Sequence, residues 1–346
     1  MKKKNTLILI LLAATVFVMA LVCLFVGSSH MTPGECFDAL FRKGSASAVR
    51  IIYSIRILRV LAALIAGAGL SVSGLIMQTT LGNRMASPST LGVSNAAVFG
   101  ANLSIIALAG GFLTTGKNIS FYSTGTNPYA TSLLAFIFSV GSVLLILGLC
   151  RLRSFSPSVV VLAGIAMGSV WTAATTILQF YATDVGLSAA VIWSFGDLGR
   201  ATYETDIIML LVVLASLLFF ILMSWKYNAL LSGSSTAASL GVNVERLRFL
   251  SLLLASLITA VCVSYLGIIG FVGIICPHIA KKLLGQDHRI SIPASALTGS
   301  LLLLAADTLS RSIGSGSALP VGAVTSLLGA PFFIAVIIGG RRHRDA

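Results

Sequence analysis

No charged residue interrupts Leu7 to Val26. At about 1.5 Å of rise per residue, such a run crosses a hydrocarbon core of roughly 30 Å as one helix. Similar runs recur along the chain, and that recurrence leaves an all-α, polytopic membrane bundle, because lipid offers no partner for open backbone. Only 10% of the 346 residues are charged and 57% are hydrophobic, against roughly 25% charged in soluble proteins. Lys2, Lys3 and Lys4 precede the first run. The VGSSHM that follows it offers no small-residue cleavage site and Cys23 follows bulky Leu21-Val22, so the run reads as a retained membrane helix.

The mixed stretch 29–55 is extramembrane, and a second span opens at Arg56. Others follow at about Leu91–Leu113, Tyr129–Leu149, Pro157–Tyr181 and Ile207–Trp225. Leu250–Ile279 is too long for one span, and Gly267, Gly270, Gly273 and Pro277 predict two helices joined by a tight turn. Pro293–Leu309 and Pro320–Gly340 bring the expectation to ten helices in one transmembrane domain over 1–346. Placing both termini inside puts Lys2–Lys4, Arg84, Arg151, Arg153, Lys226, Arg246, Arg248, Lys281, Lys282, Arg289, Arg341, Arg342 and Arg344 on the inner face, most of the 23 Lys and Arg. That is the distribution the positive-inside rule asks for. A short amphipathic piece with Trp193 is expected to lie along the membrane surface.

Within the second span, Ala63, Gly67, Ser71, Gly74 and Gln78 recur at steps of three or four and form a shallow groove on one helical face. Small residues of this kind let a neighbouring backbone approach in lipid. Arg56 and Arg59 share a face at the helix mouth.

Several function classes drop out. A net charge of +13 raises nucleic acid, but the basic residues are scattered between apolar runs with no patch and no aromatic interleaving, so no nucleic-acid partner is expected. Gly111 to Asn118 nearly spells a phosphate-binding loop, yet Asn118 replaces the hydroxyl that would hold magnesium. The five cysteines form no CxxC pair, and the four histidines fall in no ligand pattern, so neither metal nor cofactor is expected. An ion-coupled secondary transporter usually carries an ionisable residue near mid-membrane. Here the single acidic residue within an apolar run is Asp307, near an outer end, with Arg311 four positions on as a local helical partner. That transporter class is the alternative reading.

The chain closely resembles the membrane permeases of iron-siderophore, haem and vitamin B12 importers, the FecCD type of ATP-binding-cassette (ABC) transporter. The resemblance is carried by Arg56-x-x-Arg59-x-x-x-Ala63-x-x-x-Gly67, Ser73-Gly74-x-x-x-Gln78 and Asn83-x-x-Ala86-x-Pro88-x-x-Leu91-Gly92-Val93-Ser94. It continues through Leu162-Ala163-Gly164, Trp193-x-x-Gly196 and Leu240-Gly241-Val242-Asn243, then Gly270-Phe271-Val272-Gly273-x-x-Cys276-Pro277-His278 and Gly285-x-Asp287-His288-Arg289. Ala306-Asp307-x-x-x-Arg311, Leu319-Pro320-Val321-Gly322 and Gly329-Ala330-Pro331-Phe332-Phe333 complete it, so the likeness covers nearly the whole chain.

The resemblance implies a type II ABC importer permease of ten helices with no catalytic activity of its own. It implies a second permease copy, as homodimer or close heterodimer, two ATPase subunits in the cytoplasm, and an extracytoplasmic substrate-binding protein delivering an iron chelate, with ferric siderophore favoured over haem or cobalamin. Arg56, Arg59 and Arg311 then face outward and receive glutamates from the two lobes of the binding protein. The segment 227–248, through Ser232, Gly233, Ser234, Ala237, Leu240 and Gly241, becomes the coupling surface for the ATPase. Helices two, five and ten line the path, with Gln78 and Gln179 as polar lining. The chain departs from the family pattern at Ser234, Ser235 and Ala238, where acidic residues and an arginine are common, at Ala318, and at Arg84-Met85. Those changes point to a dedicated ATPase partner.

Overall fold

A computed structural model describes residues 2–27, 31–109, 127–152, 156–313 and 318–341. The near phosphate-binding loop at 111–118, Arg153 and Arg342 to Arg344 lie outside the described residues. The membrane helices are α1 (Lys2–Phe25), α4 (Ile57–Thr80), α5 (Val93–Asn102), α6 (Pro128–Leu152), α7 (Pro157–Phe180), α9 (Tyr203–Leu222), α12 (Val244–Leu266), α13 (Val272–Leu284), α14 (His288–Ile313) and α15 (Val321–Arg341). Short helices α2 (Pro33–Leu40), α3 (Ala46–Ile51), α8 (Asp184–Ser194), α10 (Ser224–Leu231) and α11 (Ser234–Ser239) fill the loops. Among the described residues, seven helical stretches are long and apolar enough to cross a membrane. The other three expected spans correspond in position to α5 with the π turn Leu103–Leu108, α13 and α15.

The bundle is built around α4. Its apolar window is 83% buried, against 11% for α1 and 22% for α7. Burial inside lipid cannot come from hydrophobic drive alone, so close backbone approach must supply it. The small face read from the sequence does this. A Cβ on Gly67 would fall 2.5 Å from the carbonyl oxygen of Gly299 on α14, and one on Gly74 would collide with the carbonyl oxygen of Gly273 on α13. Ser300 also donates its hydroxyl to the Leu64 carbonyl at 2.8 Å. Gly69, about half a turn from that face, seats the Ile258 and Val213 side chains of α12 and α9. The outer helices turn Leu11, Phe17, Leu162, Ile177, Leu211 and Leu218 outward, the apolar surface a bilayer would cover.

Two local features differ from expectation. The second span does not begin at Arg56. Ser45 caps α3, and the π turn Ile52–Arg56 splices that helix into α4, so helical backbone runs unbroken over Ala46–Thr80. The expected pair of helices after Val244 is present, but the connector is a non-helical crossing over 267–271. Gly267 and Phe271 both hold positive φ, +79° and +65°. Pro277 lies inside α13 and does not form part of the connection. α12 ends beside Asp197, whose N–H donates to the Leu266 carbonyl at 2.8 Å, while α13 begins against Gly74. Backbone without helical bonds is tolerated at membrane depth where protein covers it. Here Ile268 pairs with Phe195 in a parallel bridge, and Val321 at the head of α15 donates to the Gly196 carbonyl at 2.7 Å.

Substituting Gly74→Ala is expected to cost about 1–3 kcal/mol through overpacking, read as a lower unfolding midpoint in detergent. Gly141→Ala on α6, where a Cβ meets nothing within 4 Å, is expected to be neutral or stabilising by about 0.5–1 kcal/mol.

Candidate functional site

An arginine one turn into a membrane helix needs a carboxylate or carbonyls within reach. Arg59 finds Asp307 on α14, with Nε at 3.1 Å and one terminal nitrogen at 2.8 Å from the same carboxylate oxygen. The other oxygen of Asp307 takes Arg311 Nε at 2.8 Å. One buried carboxylate thus joins two arginines, and Asp197 adds a second, longer pair to Arg59 at 3.3 Å.

Arg311 and Arg56 share a further task. The last carbonyls of a helix have no intrahelical donor and carry partial negative charge. At the end of α1, Arg56 donates to the carbonyls of Leu24 at 2.7 Å and Phe25 at 3.1 Å, and Arg311 donates to Cys23 and Val26 at 3.4 and 2.9 Å. The three arginines therefore lie at one end of the bundle and lock α1 onto α4 and α14. All three are buried, at 3%, 7% and 5% exposed. In a low dielectric, guanidiniums turn to internal acceptors. The expected Asp307–Arg311 pair is present, and Asp307 also holds Arg59, a link of 248 positions that no local pattern could reveal.

At the opposite end of α4, Gln78 is 5% exposed. Its amide donates to the carbonyls of Gly273 and Ile274 at 3.3 and 3.4 Å, and its oxygen accepts from Lys281 Nζ at 3.2 Å. Gln179, near the end of α7, donates to Asn102 Oδ1 at 3.0 Å. The structure does not bring these two glutamines together, and Gln78 is engaged in helix packing.

The sequence reading missed a polar node beside Gln78. His288 is fully buried, with Nε2 2.8 Å from Thr79 Oγ1 and Nδ1 2.9 Å from Asn228 Oδ1. Asn228 in turn donates to Asp287 at 2.7 Å, and that hydrogen bond holds the Asp287 carboxyl below the usual carboxylate range. Arg248 donates to the Thr80 carbonyl at 3.0 Å and to Ser234 Oγ at 2.7 Å. The last turn of α4 is thereby tied to α10 and α11. The available signal was Asp287-His288-Arg289 directly before a helix, and nothing in it states that the imidazole is buried.

Those ties present the 232–241 turn to the surface. Gly233 and Gly241 hold φ of +108° and +80°, Ala237 is buried beneath, and Ser232, Ser234 and Leu240 are exposed, Leu240 by 62%. A separate cleft of about 690 Å³ opens between α6, α8 and α9, walled by Tyr129, Trp193, Thr205 and Tyr265.

A family model described as the FecCD transport family matches residues 12–339. A protein of Methanocaldococcus jannaschii assigned as an ABC transporter permease is 44% identical over 97% of this chain and 95% of its own length. The hemin transport system permease protein HmuU of Yersinia pestis is 34% identical over 94% and 95%. Among solved structures, an inward-facing conformation of a transporter assigned to the metal-chelate ABC type superposes with a TM-score of 0.80 at 26% identity, covering 96% of this chain and 99% of that one.

Asp307→Asn keeps the shape of the node and strands two buried guanidiniums, so it is expected to cost about 3–5 kcal/mol. The measurement is the unfolding midpoint in detergent, with exposed Asp184→Asn expected to leave it unchanged.

Proposed function

The chain belongs to the FecCD transport family, and on that premise we propose that it is the permease through which an ABC importer brings an iron chelate into the cell. It is a multi-pass membrane subunit without catalytic activity of its own. Its importer requires an ATPase and a binding protein as partners. In the proposed assembly two permease copies enclose the path, two ATPase subunits drive it, and both termini lie in the cytoplasm. The cargo is a ferric siderophore, the broadest group among chelates that a path of small, weakly charged residues can hold by shape. A haem-importing relative at 34% identity supports the chelate class.

One observation carries this reading. Arg56, Arg59 and Arg311, far apart in sequence, converge at one end of α4, while the exposed 232–241 turn is anchored to its other end through Thr79, Thr80 and His288. A receiver for an external partner and a platform for an internal one thus sit on a single packed core. Guanidinium suits the receiver because it binds carboxylate as a fixed fork. Ser232, Gly233, Ser234, Ala237, Leu240 and Gly241 form the ATPase contact, with Leu240 as its apolar anchor. α4, α7 and α15 line the path, with Gln179 as polar lining and Gln78 as a group that opens to cargo on rearrangement.

In proteoliposomes holding the permease with its ATPase, replacing Arg56, Arg59 and Arg311 together by Glu is expected to reduce ATPase activity stimulated by binding protein to the basal rate. Stimulation equal to wild type overturns the docking role. Leu240→Asp is expected to weaken ATPase association by roughly tenfold, on the order of a lost apolar anchor, read by co-purification. Uptake of a ferric hydroxamate in preference to haem or cobalamin supports the cargo, and the reverse preference overturns it.

A further inference from the structure

Asp197 stands at the rim of the arginine cluster with a carboxylate that the chain itself supplies. It caps the short 3-10 turn Leu198–Arg200, its Oδ1 accepting the Gly199 N–H at 2.8 Å while lying 3.3 Å from a terminal nitrogen of Arg59. The turn closes over the guanidinium: a Cβ on Gly199 would fall 2.5 Å from the other terminal nitrogen of Arg59. The two carboxylates facing Arg59 differ in kind. Asp307 has a side chain 2% exposed, whereas that of Asp197 is 43% exposed. A buried partner cannot leave without stranding a charge in low dielectric. A half-exposed one at longer range is held weakly and can be exchanged.

We propose that Asp197 is a resident stand-in for the carboxylate of the binding protein, covering Arg59 in the undocked transporter and giving way when the partner arrives. The inference rests on the docking role assigned to the arginines. An incoming glutamate competes with Asp197 for the same edge of Arg59 and is repelled by it, so Asp197 sets how tightly the binding protein holds. The exchange also has a mechanical path inward. The Asp197 N–H bonds the last carbonyl of α12, and the neighbouring Gly196 carbonyl accepts from Val321 at the head of α15. Lifting the turn therefore loosens the end of α12, where the 267–271 crossing begins, and the head of α15.

Asp197→Asn separates charge from fold, because asparagine keeps the acceptor that caps the turn. The test measures binding of the importer's purified substrate-binding protein to the permease–ATPase complex in nanodiscs. The expected result is a dissociation constant lower by about fivefold in the variant, with the difference widening as salt is reduced. Affinity equal to wild type, or weaker, overturns the inference. The triple Arg→Glu variant, measured alongside, separates the two levels. If it binds like wild type, the docking role itself fails. If it loses binding while Asp197→Asn is unchanged, Asp197 alone is excluded.

Discussion

Close approach of backbones along α4 is the constraint from which the other features follow. Gly67 meets Gly299, and Gly74 meets Gly273, with no room for a methyl group at either point. Contacts of this kind fix α13 and α14 at set heights on α4 rather than letting them slide. Once those heights are fixed, Asp307 falls level with Arg59, and His288 falls level with Thr79. Both polar nodes are thus consequences of an apolar seam. Neither could assemble if the helices were held apart by larger side chains.

The nodes do different physical work. At one end, a single buried carboxylate is shared by two guanidiniums, with half-exposed Asp197 as a second, longer partner to Arg59. At the other end a threonine, an asparagine and a buried imidazole position the short helices, with Asp287 and Arg248 tied in at the edge of the node. In the proposed assembly, partner recognition there falls to the shape of the exposed turn, in keeping with the serines that replace charged residues on it. Ser234 is itself taken up by Arg248, so the loss of an acidic residue at that position is matched by an internal contact.

Much of this was legible in the sequence because membrane folds write their constraints locally. Long apolar runs gave ten helices, and the spacing of Gly67, Ser71, Gly74 and Gln78 gave the face on which α4 packs. Asp307 and Arg311 could be paired because they are four apart on one helix. What stayed hidden depended on partners distant in the chain. Arg59 is exposed or buried according to where α14 stops, and Gln78 faces cargo or Lys281 according to where α13 begins. The crossing at 267–271 was read as a tight turn because its glycines are the same for either form. The bonds that hold it, from Ile268 to the Ser194 carbonyl and from Asp197 to the preceding Leu266 carbonyl, involve another part of the chain.

The π turn at Ile52–Arg56 carries one residue more than an α-helix would over the same rise. One residue corresponds to about 100° of helical rotation. The turn ends on Arg56, which reaches back to the end of α1, while Arg59 three positions on meets Asp307 of α14. The extra residue also makes the junction a place where the chain can change length. Losing one residue from Ile52 to Ile55 would swing α3 and the loop before it around the axis and leave the Arg59 ion pair where it is. In the proposed assembly this segment faces the external partner, and a change at the junction re-aims it without shifting the glycine seam of α4.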